Sequence, residues 1–331
     1  MTVCHKTIKG GTLLVFIVGV GRSGTSLVQS MLNAHPDVTF PPETAFLRRY
    51  VAKGVLSRRA VKGDLQSAES ILREDEYFKR TGLDAGELVS EALSPRGFSD
   101  AAVYLEMLAS CASEGKMWVG DKDPRAVEYL PLLKVVFPDV KVLHVFRDPR
   151  DVLVSKKKAA WSKSGHVWKH IFASRVQFRI GCKQGPELFG SMYHELCYED
   201  LLSSPEKVLR KLCRDLGLAY DARMLSFWDA ARRLVSEKEM SWKKETLGPL
   251  MTENKQKWKH DLPTREVRLT ELCCRQAMVR GGYKLDDRCA PLGLWDWVWV
   301  QIARVVIVLA TRPYMLYQDL RVKRACRQYA D

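Results

Sequence analysis

Residues 13–26, Leu-Leu-Val-Phe-Ile-Val-Gly-Val-Gly-Arg-Ser-Gly-Thr-Ser, constrain the fold more than any other stretch of the chain. An apolar run ends in a glycine loop and opens into Leu27-Val28-Gln29-Ser30-Met31-Leu32, which reads as a helix. Strand, tight loop and helix N-terminus together form a phosphate cradle, because backbone N–H groups point outward there and the helix dipole favours an anion. The spacing Gly19-x-x-x-x-Gly24 followed by Thr25-Ser26 is that of a Walker A loop with Thr25 in the lysine's place. That lysine reaches the β- and γ-phosphates of a nucleoside triphosphate. The loop therefore predicts a phosphorylated ligand and argues against ATP or GTP hydrolysis.

The net charge of +14 points the same way, since it favours polyanionic ligands such as nucleotides, acidic glycans or anionic lipid. At 331 residues, 46% hydrophobic and 28% charged, the chain can bury one large globular core. Its nine cysteines stand singly apart from Cys273-Cys274, with no C-x-x-C. This is neither a zinc pattern nor a disulfide framework, and it suits a reducing, cytoplasmic compartment. The lead from Met1 to Gly11 is short and polar, and the apolar residues 13–20 are too few to span a bilayer, so neither signal peptide nor N-terminal anchor is expected.

Along the chain, residues 37–40, 117–119, 140–146 and 192–197 read as further strands, with helices between them. Residues 44–115 read as mostly helical. Pro41-Pro42-Glu43-Thr44 forms a stiff turn at the carboxyl end of the second strand, where open α/β sheets bind ligands, and this places Glu43 beside the cradle. A solvated glutamate at a helix start is the plainer alternative. Gly120-Asp121-Lys122-Asp123-Pro124 brings a lysine towards the same crevice. The strand Val140–Phe146 ends in Arg147-Asp148-Pro149-Arg150-Asp151, where a Walker B strand would offer a magnesium-binding aspartate. Arg147 instead supplies a planar fork suited to a phosphate dianion, and Ser155 lies about two helical turns on. Residues 166–182 read as a basic helix, 205–216 as a helix stopped by Gly217, and 236–260 as a lysine-rich loop of the kind that closes over ligands.

The last forty residues change character. Leu294 to Leu309 carries Trp295, Trp297 and Trp299, interrupted by Asp296, Gln301 and Arg304 on one side of a helix. Arg312, Arg321, Lys323, Arg324 and Arg327 follow. Too short and charged for a span, the segment predicts an interfacial amphipathic helix with a basic flank, or a helix docked on the domain or in a homodimer contact. The expected organisation is a domain over 1–287 and a basic, Trp-rich helical extension over 288–331.

Val18 to Leu27, with Met31-Leu32-x-Ala34-His35-Pro36 behind it, resembles the 5′-phosphosulfate loop of sulfotransferases that use 3′-phosphoadenosine 5′-phosphosulfate (PAPS). Arg147-Asp148-Pro149-Arg150 with Ser155 resembles their 3′-phosphate motif. Within that superfamily the chain is most similar to the protein-tyrosine sulfotransferase branch and its bacterial relatives. Glu43-Thr44, Lys122-Asp123-Pro124, Tyr129-Leu130, Phe137-Pro138, Tyr198-Glu199, Leu216-Gly217 and Lys257-Trp258 follow in matching order over roughly residues 12–285. The resemblance implies an α/β, P-loop-like three-layer fold, a central parallel sheet flanked by helices. It implies that Arg22, Ser23, Gly24, Thr25 and Ser26 hold the 5′-phosphosulfate, that Arg147 and Ser155 hold the 3′-phosphate, and that Tyr198 lines the nucleotide pocket. Glu43 becomes the general base, and Lys122 and Arg22 the cations that neutralise charge as the sulfonate moves. No metal is expected, because the phosphate leaving group is already a good one.

The chain departs from the tyrosine branch at Gly248 and Ala159, where that branch carries basic residues, and matches its late-loop serine only loosely, at Ser236. A glycan, glycolipid or small-molecule hydroxyl is accordingly the first expected acceptor and protein tyrosine the second. No nucleic acid partner is expected. The readings of other classes are a P-loop nucleotide kinase, which lacks its lysine and its aspartate here, and a non-catalytic polyanion-binding protein, which has no use for Glu43 and Lys122 beside the cradle.

Overall fold

The computed structural model describes residues 12–60, 65–94, 97–112, 115–159, 166–235, 246–287 and 291–329. Five parallel strands, β1 (Leu13–Gly19), β2 (Val38–Thr39), β3 (Trp118–Lys122), β4 (Lys141–Phe146) and β5 (Tyr193–Cys197), form one sheet in the order β2-β3-β1-β4-β5. The expected α/β architecture is thus present, with helices on both faces. Side chains alternate across a strand. Phe16 and Val18 therefore enter a core with Tyr104, Leu132 and Val142, whereas Val15 and Ile17 enter another with Val28, Leu143 and Leu209. Burial on both faces explains why β1 reads as an unbroken apolar run.

Strand order also fixes where a ligand goes. From β1 the chain crosses β3 to β2, and from β4 it moves outward to β5. The neighbours β1 and β4 therefore send their connections in opposite directions, and the crevice beyond their carboxyl ends is the topological switch point. Helix α1 (Thr25–Asn33) leaves β1 here. The region between β2 and β3 is a set of short helices ending in α2 (Asp100–Cys111), and α3 (Pro149–Lys158) follows β4.

Several boundaries differ from expectation. Strand β3 runs on through Lys122, because Gly120 lacks the Cβ that would meet the Phe40 ring at 2.2 Å. Helix α4 (Val167–Phe189) extends past residue 182. Gly181 and Gly185 let it lie close on the sheet, where a Cβ would meet His144 at 2.6 Å and Tyr193 at 2.1 Å. After β5 come α5 (Tyr198–Ser203) and α6 (Pro205–Leu216), the latter ended by Gly217 in the left-handed region as anticipated.

The last helix, α7 (Leu294–Cys326), continues well beyond Leu309 and through Pro313. Its inner face is tied to the domain: Tyr314 donates to Glu128 at 2.7 Å, Gln318 donates to the Glu128 carbonyl at 3.1 Å, and Val300, Ala303 and Ile307 join a core with Phe146, Phe178 and Trp258. Among the described residues it is the one helix long and apolar enough to cross a membrane by length and composition.

Candidate active site

The loop after β1 is pinned to β4. A Cβ at Gly19 would lie 2.2 Å from the Val145 carbonyl oxygen, and the Ser23 hydroxyl donates to that same oxygen at 3.0 Å. Ser23 is buried and its backbone N–H donates to Val20, so of the five cradle residues it fastens the loop from inside instead of facing the cavity. Arg22 and Gly24 take positive φ, 77° and 96°. This kink aims the start of α1 at the crevice. No side chain caps α1, which leaves its first N–H groups to an incoming anion.

A cavity of about 440 Å³ opens over this helix start. It is lined by Arg22, Gly24, Thr25, Ser26, Glu43, Lys122, Arg147, Ser155 and Tyr198. The elements bring together from five chain segments every expected site residue except the inward-turned Ser23.

On the β4 side, the Arg147 guanidinium lies 4.4 Å from the centre of the Tyr198 ring and donates to the Asn254 carbonyl at 2.7 Å, while Asn254 donates to the Tyr198 hydroxyl at 2.9 Å. Arg147 Nε is buried with no partner among the described residues, so a donor stands ready for an anion. The same ring covers Gly24, where a Cβ would come within 2.2 Å of it. Ser155 Oγ accepts from Arg22 Nε at 2.9 Å, which joins the β1 loop to α3. The rest of the Arg-Asp-Pro-Arg-Asp run is scaffold. Asp148 caps α3 and pairs with Arg150; Arg150 also pairs with Glu271 and stacks on Trp258; Asp151 accepts from the N–H groups of Gln256 and Trp258.

On the β3 side, Lys122 ends its strand with 1% of its side chain exposed, and its Nζ contacts Glu43 Oε2 directly. Arg48 donates to Asp123 at 2.6 Å, and burial raises the Asp123 carboxyl above its ordinary range although Arg48 pulls the other way. Asp121, behind Lys122, is pushed up to about 6 by burial while the Tyr104 hydroxyl donates to it.

Residues that the sequence did not single out also line the cavity. Arg48 and Tyr77 arrive from helical segments without a motif, Arg125 from the turn just after Lys122-Asp123-Pro124, and Thr246, Leu250, Met251 and Asn254 come from the loop expected to cover a ligand. Ser236 lies outside the described residues. Away from the cavity, His144, Cys182 and Glu195 have ligand atoms within 4.8 Å of one another, but Arg280 already pairs with Glu195 at 2.8 Å.

Comparison with known proteins bears on this geometry. The curated relatives include protein-tyrosine sulfotransferase 1 of Danio rerio, 26% identical over 64% of this chain and 55% of that protein, and of Homo sapiens, 31% identical over 41% and 32%. An uncharacterized protein of Aquifex aeolicus is 27% identical over 66% of this chain and 27% of its own length. The chain thus spans about half the length, or less, of these relatives. The sulfotransferase domains of the Synechococcus PCC 7002 olefin synthase and of the curacin biosynthetic pathway share the fold, with TM-scores of 0.62 and 0.59 at 20% and 18% identity. Each likeness covers 83% of this chain, and it covers 96% and 99% of those domains. The model of the Sulfotransferase family matches residues 15–222, which contain the β1 loop, Glu43, Lys122, Arg147 and Tyr198, and the chain belongs to that family.

Proposed function

We propose that this chain transfers a sulfonate group from PAPS to an acceptor hydroxyl. The observation that carries the reading is the division of one cavity about the β1 loop. Lys122 and Glu43 stand at the end of β3 and the turn after β2, and Arg147, Tyr198 and Ser155 stand on the β4 side. A donor with phosphate at both ends of a nucleoside matches two anion sites flanking one helix N-terminus. The α1 N–H groups with Thr25 and Ser26 take the 5′ end; Arg147, through its free Nε, and Ser155 take the 3′-phosphate. The Tyr198 ring supports the guanidinium of Arg147.

The donor supplies an activated sulfur. Glu43 receives the proton of the acceptor hydroxyl as its oxygen bonds to sulfur; the bridging S–O bond breaks, and its electron pair leaves on adenosine 3′,5′-bisphosphate. Proton transfer of this kind contributes roughly two to four orders of magnitude. Lys122 and Arg22 offset the negative charge that accumulates, an effect that is greatest where water is excluded.

The acceptor we favour is a hydroxyl of a glycan, glycolipid or small molecule. Protein tyrosine is the second reading, favoured by the names of the curated relatives. Seven described cysteines are free, in keeping with a cytoplasmic setting. Thermal melting with adenosine 3′,5′-bisphosphate, compared with ATP and magnesium, tests the donor. Stabilisation by the bisphosphate is expected, and stabilisation by ATP alone would support a kinase instead. Labelled PAPS offered to glycan, lipid and tyrosine-peptide pools then identifies the acceptor.

A further inference from the structure

Helix α7 carries apolar side chains on its outward face as well as on the face that packs on the domain. Its inner face packs on the domain through Val300, Ile307 and Val322. Its two carboxylates are paired, Asp296 with Arg265 and Asp319 with Lys323. Spaced at 100° per residue, Trp295, Ile302, Val305, Leu309, Leu316 and Leu320 fall on one outward arc. Trp295 is 83% exposed and Leu309 69%. Only 22% of the most apolar window of the helix is buried, far less than a core helix requires.

The basic half of α7 borders a second cavity, of about 720 Å³, between the helix and residues 52–58. Lys53, Arg58, Arg321 and Arg324 line it beside Tyr317 and Leu320, and among the described residues no carboxylate does. None of these four cations is in an ion pair among the described residues. Leu320 belongs to both the apolar arc and the groove, so the two surfaces are continuous.

We propose that this face lies on an anionic phospholipid surface, with the outward arc of α7 at the acyl boundary and a lipid phosphate in the groove of Lys53, Arg58, Arg321 and Arg324. Charge complementarity selects this occupant. A second copy would bring the same cations against themselves, whereas apolar residues continuous with unopposed cations are what an in-plane helix presents to an anionic leaflet. The inner-face contacts hold α7 along the domain, so it lies on the bilayer and does not cross it. The inference is independent of the sulfonate-transfer reading.

Cosedimentation of the full chain with phosphatidylcholine vesicles, with and without about one-third phosphatidylserine, tests it. Binding to the anionic vesicles is expected to exceed neutral binding about tenfold or more and to collapse near 1 M salt, where the Debye length is about 3 Å. Lys53→Glu with Arg324→Glu should abolish the anionic preference, and Leu309→Asp should weaken binding throughout; all three positions are exposed, so melting temperature should hold. If charge reversal nonetheless disturbs folding, the salt dependence of the unmodified chain decides. Equal binding to both vesicles, binding that resists alkaline carbonate, or no binding together with concentration-dependent dimers would overturn the proposal.

Discussion

Lys122 and Glu43 form a direct ion pair inside the cavity although they stand far apart in sequence and leave different strands. The two ends of the pair are unequally buried, with 1% of the lysine side chain exposed and 22% of the glutamate. On the proposed mechanism an acceptor hydroxyl that reaches Glu43 meets Lys122 at the same place, so that proton removal and charge neutralisation would act as one unit.

Glu43→Gln should cut transfer by about 10²–10⁴ while adenosine 3′,5′-bisphosphate still binds. Glutamine keeps an oxygen for the ammonium but takes up no proton. Glu43→Ala strands a buried cation and should destabilise the fold by about 3 kcal/mol. Lys122→Met, which leaves a carboxylate that water can reach, should cost less. Denaturant melts rank the two stabilities, and initial rates with labelled PAPS measure transfer. An undiminished rate in Glu43→Gln would remove Glu43 from the base role.

Arg147→Ala should remove the preference for adenosine 3′,5′-bisphosphate over 5′-AMP. Hydrogen bonds to a charged group contribute about 1.5–3 kcal/mol, so affinity for the bisphosphate should fall roughly ten- to a hundredfold while AMP changes little. Calorimetric titration of both ligands gives the ratio. An equal loss for both would mean that Arg147 only supports Tyr198 and Asn254.

The strand, loop and helix of residues 13–33 were legible in sequence because β1 is buried on both faces and its glycine loop has a fixed spacing. Glu43, Lys122 and Arg147 were legible because each stands at or just beyond a strand end. Ser23 was placed in the cradle by position, but a side chain's inward turn towards Val145 depends on how closely two strands approach, which one strand's sequence does not carry. Arg48 and Asn254 reach the cavity by tertiary packing alone. The apolar pattern of α7 ends near Leu309 in the sequence, whereas the bonds from Tyr314 and Gln318 to Glu128 hold the helix along the domain past Pro313.

Gly24→Ala should be damaging out of proportion to one methyl group. Gly24 sits at φ 96°, and the new Cβ would fall 2.2 Å from the Tyr198 ring. Backbone strain and overpacking each cost about 1–3 kcal/mol. Displacement of Tyr198 would also free Arg147, so nucleotide affinity should fall along with the melting temperature. If only the melting temperature fell, Tyr198 would not be the link between the loop and Arg147.

His144 gives the fold a predictable acid sensitivity. It is fully buried between β4 and α4, near Tyr193, Cys182, Glu195 and Arg280. Burial first, and the Arg280 charge second, lower its pKa to about 4. Because the folded value lies below the unfolded one, the unfolded chain binds more protons between them. The contribution to stability is complete above about pH 6.5 and is lost as pH falls towards and through 4. His144→Phe keeps the ring packing against Phe146 and Phe178, and Tyr193 still donates to the Gly181 carbonyl at 3.0 Å. The difference in unfolding free energy between the variant and the unmodified chain should therefore shift in the variant's favour by about 2 kcal/mol from pH 7 to pH 4.5. Denaturant titrations at the two pH values measure that shift. Parallel pH dependence in the two proteins would show that His144 is protonated in the folded chain as readily as in the unfolded one.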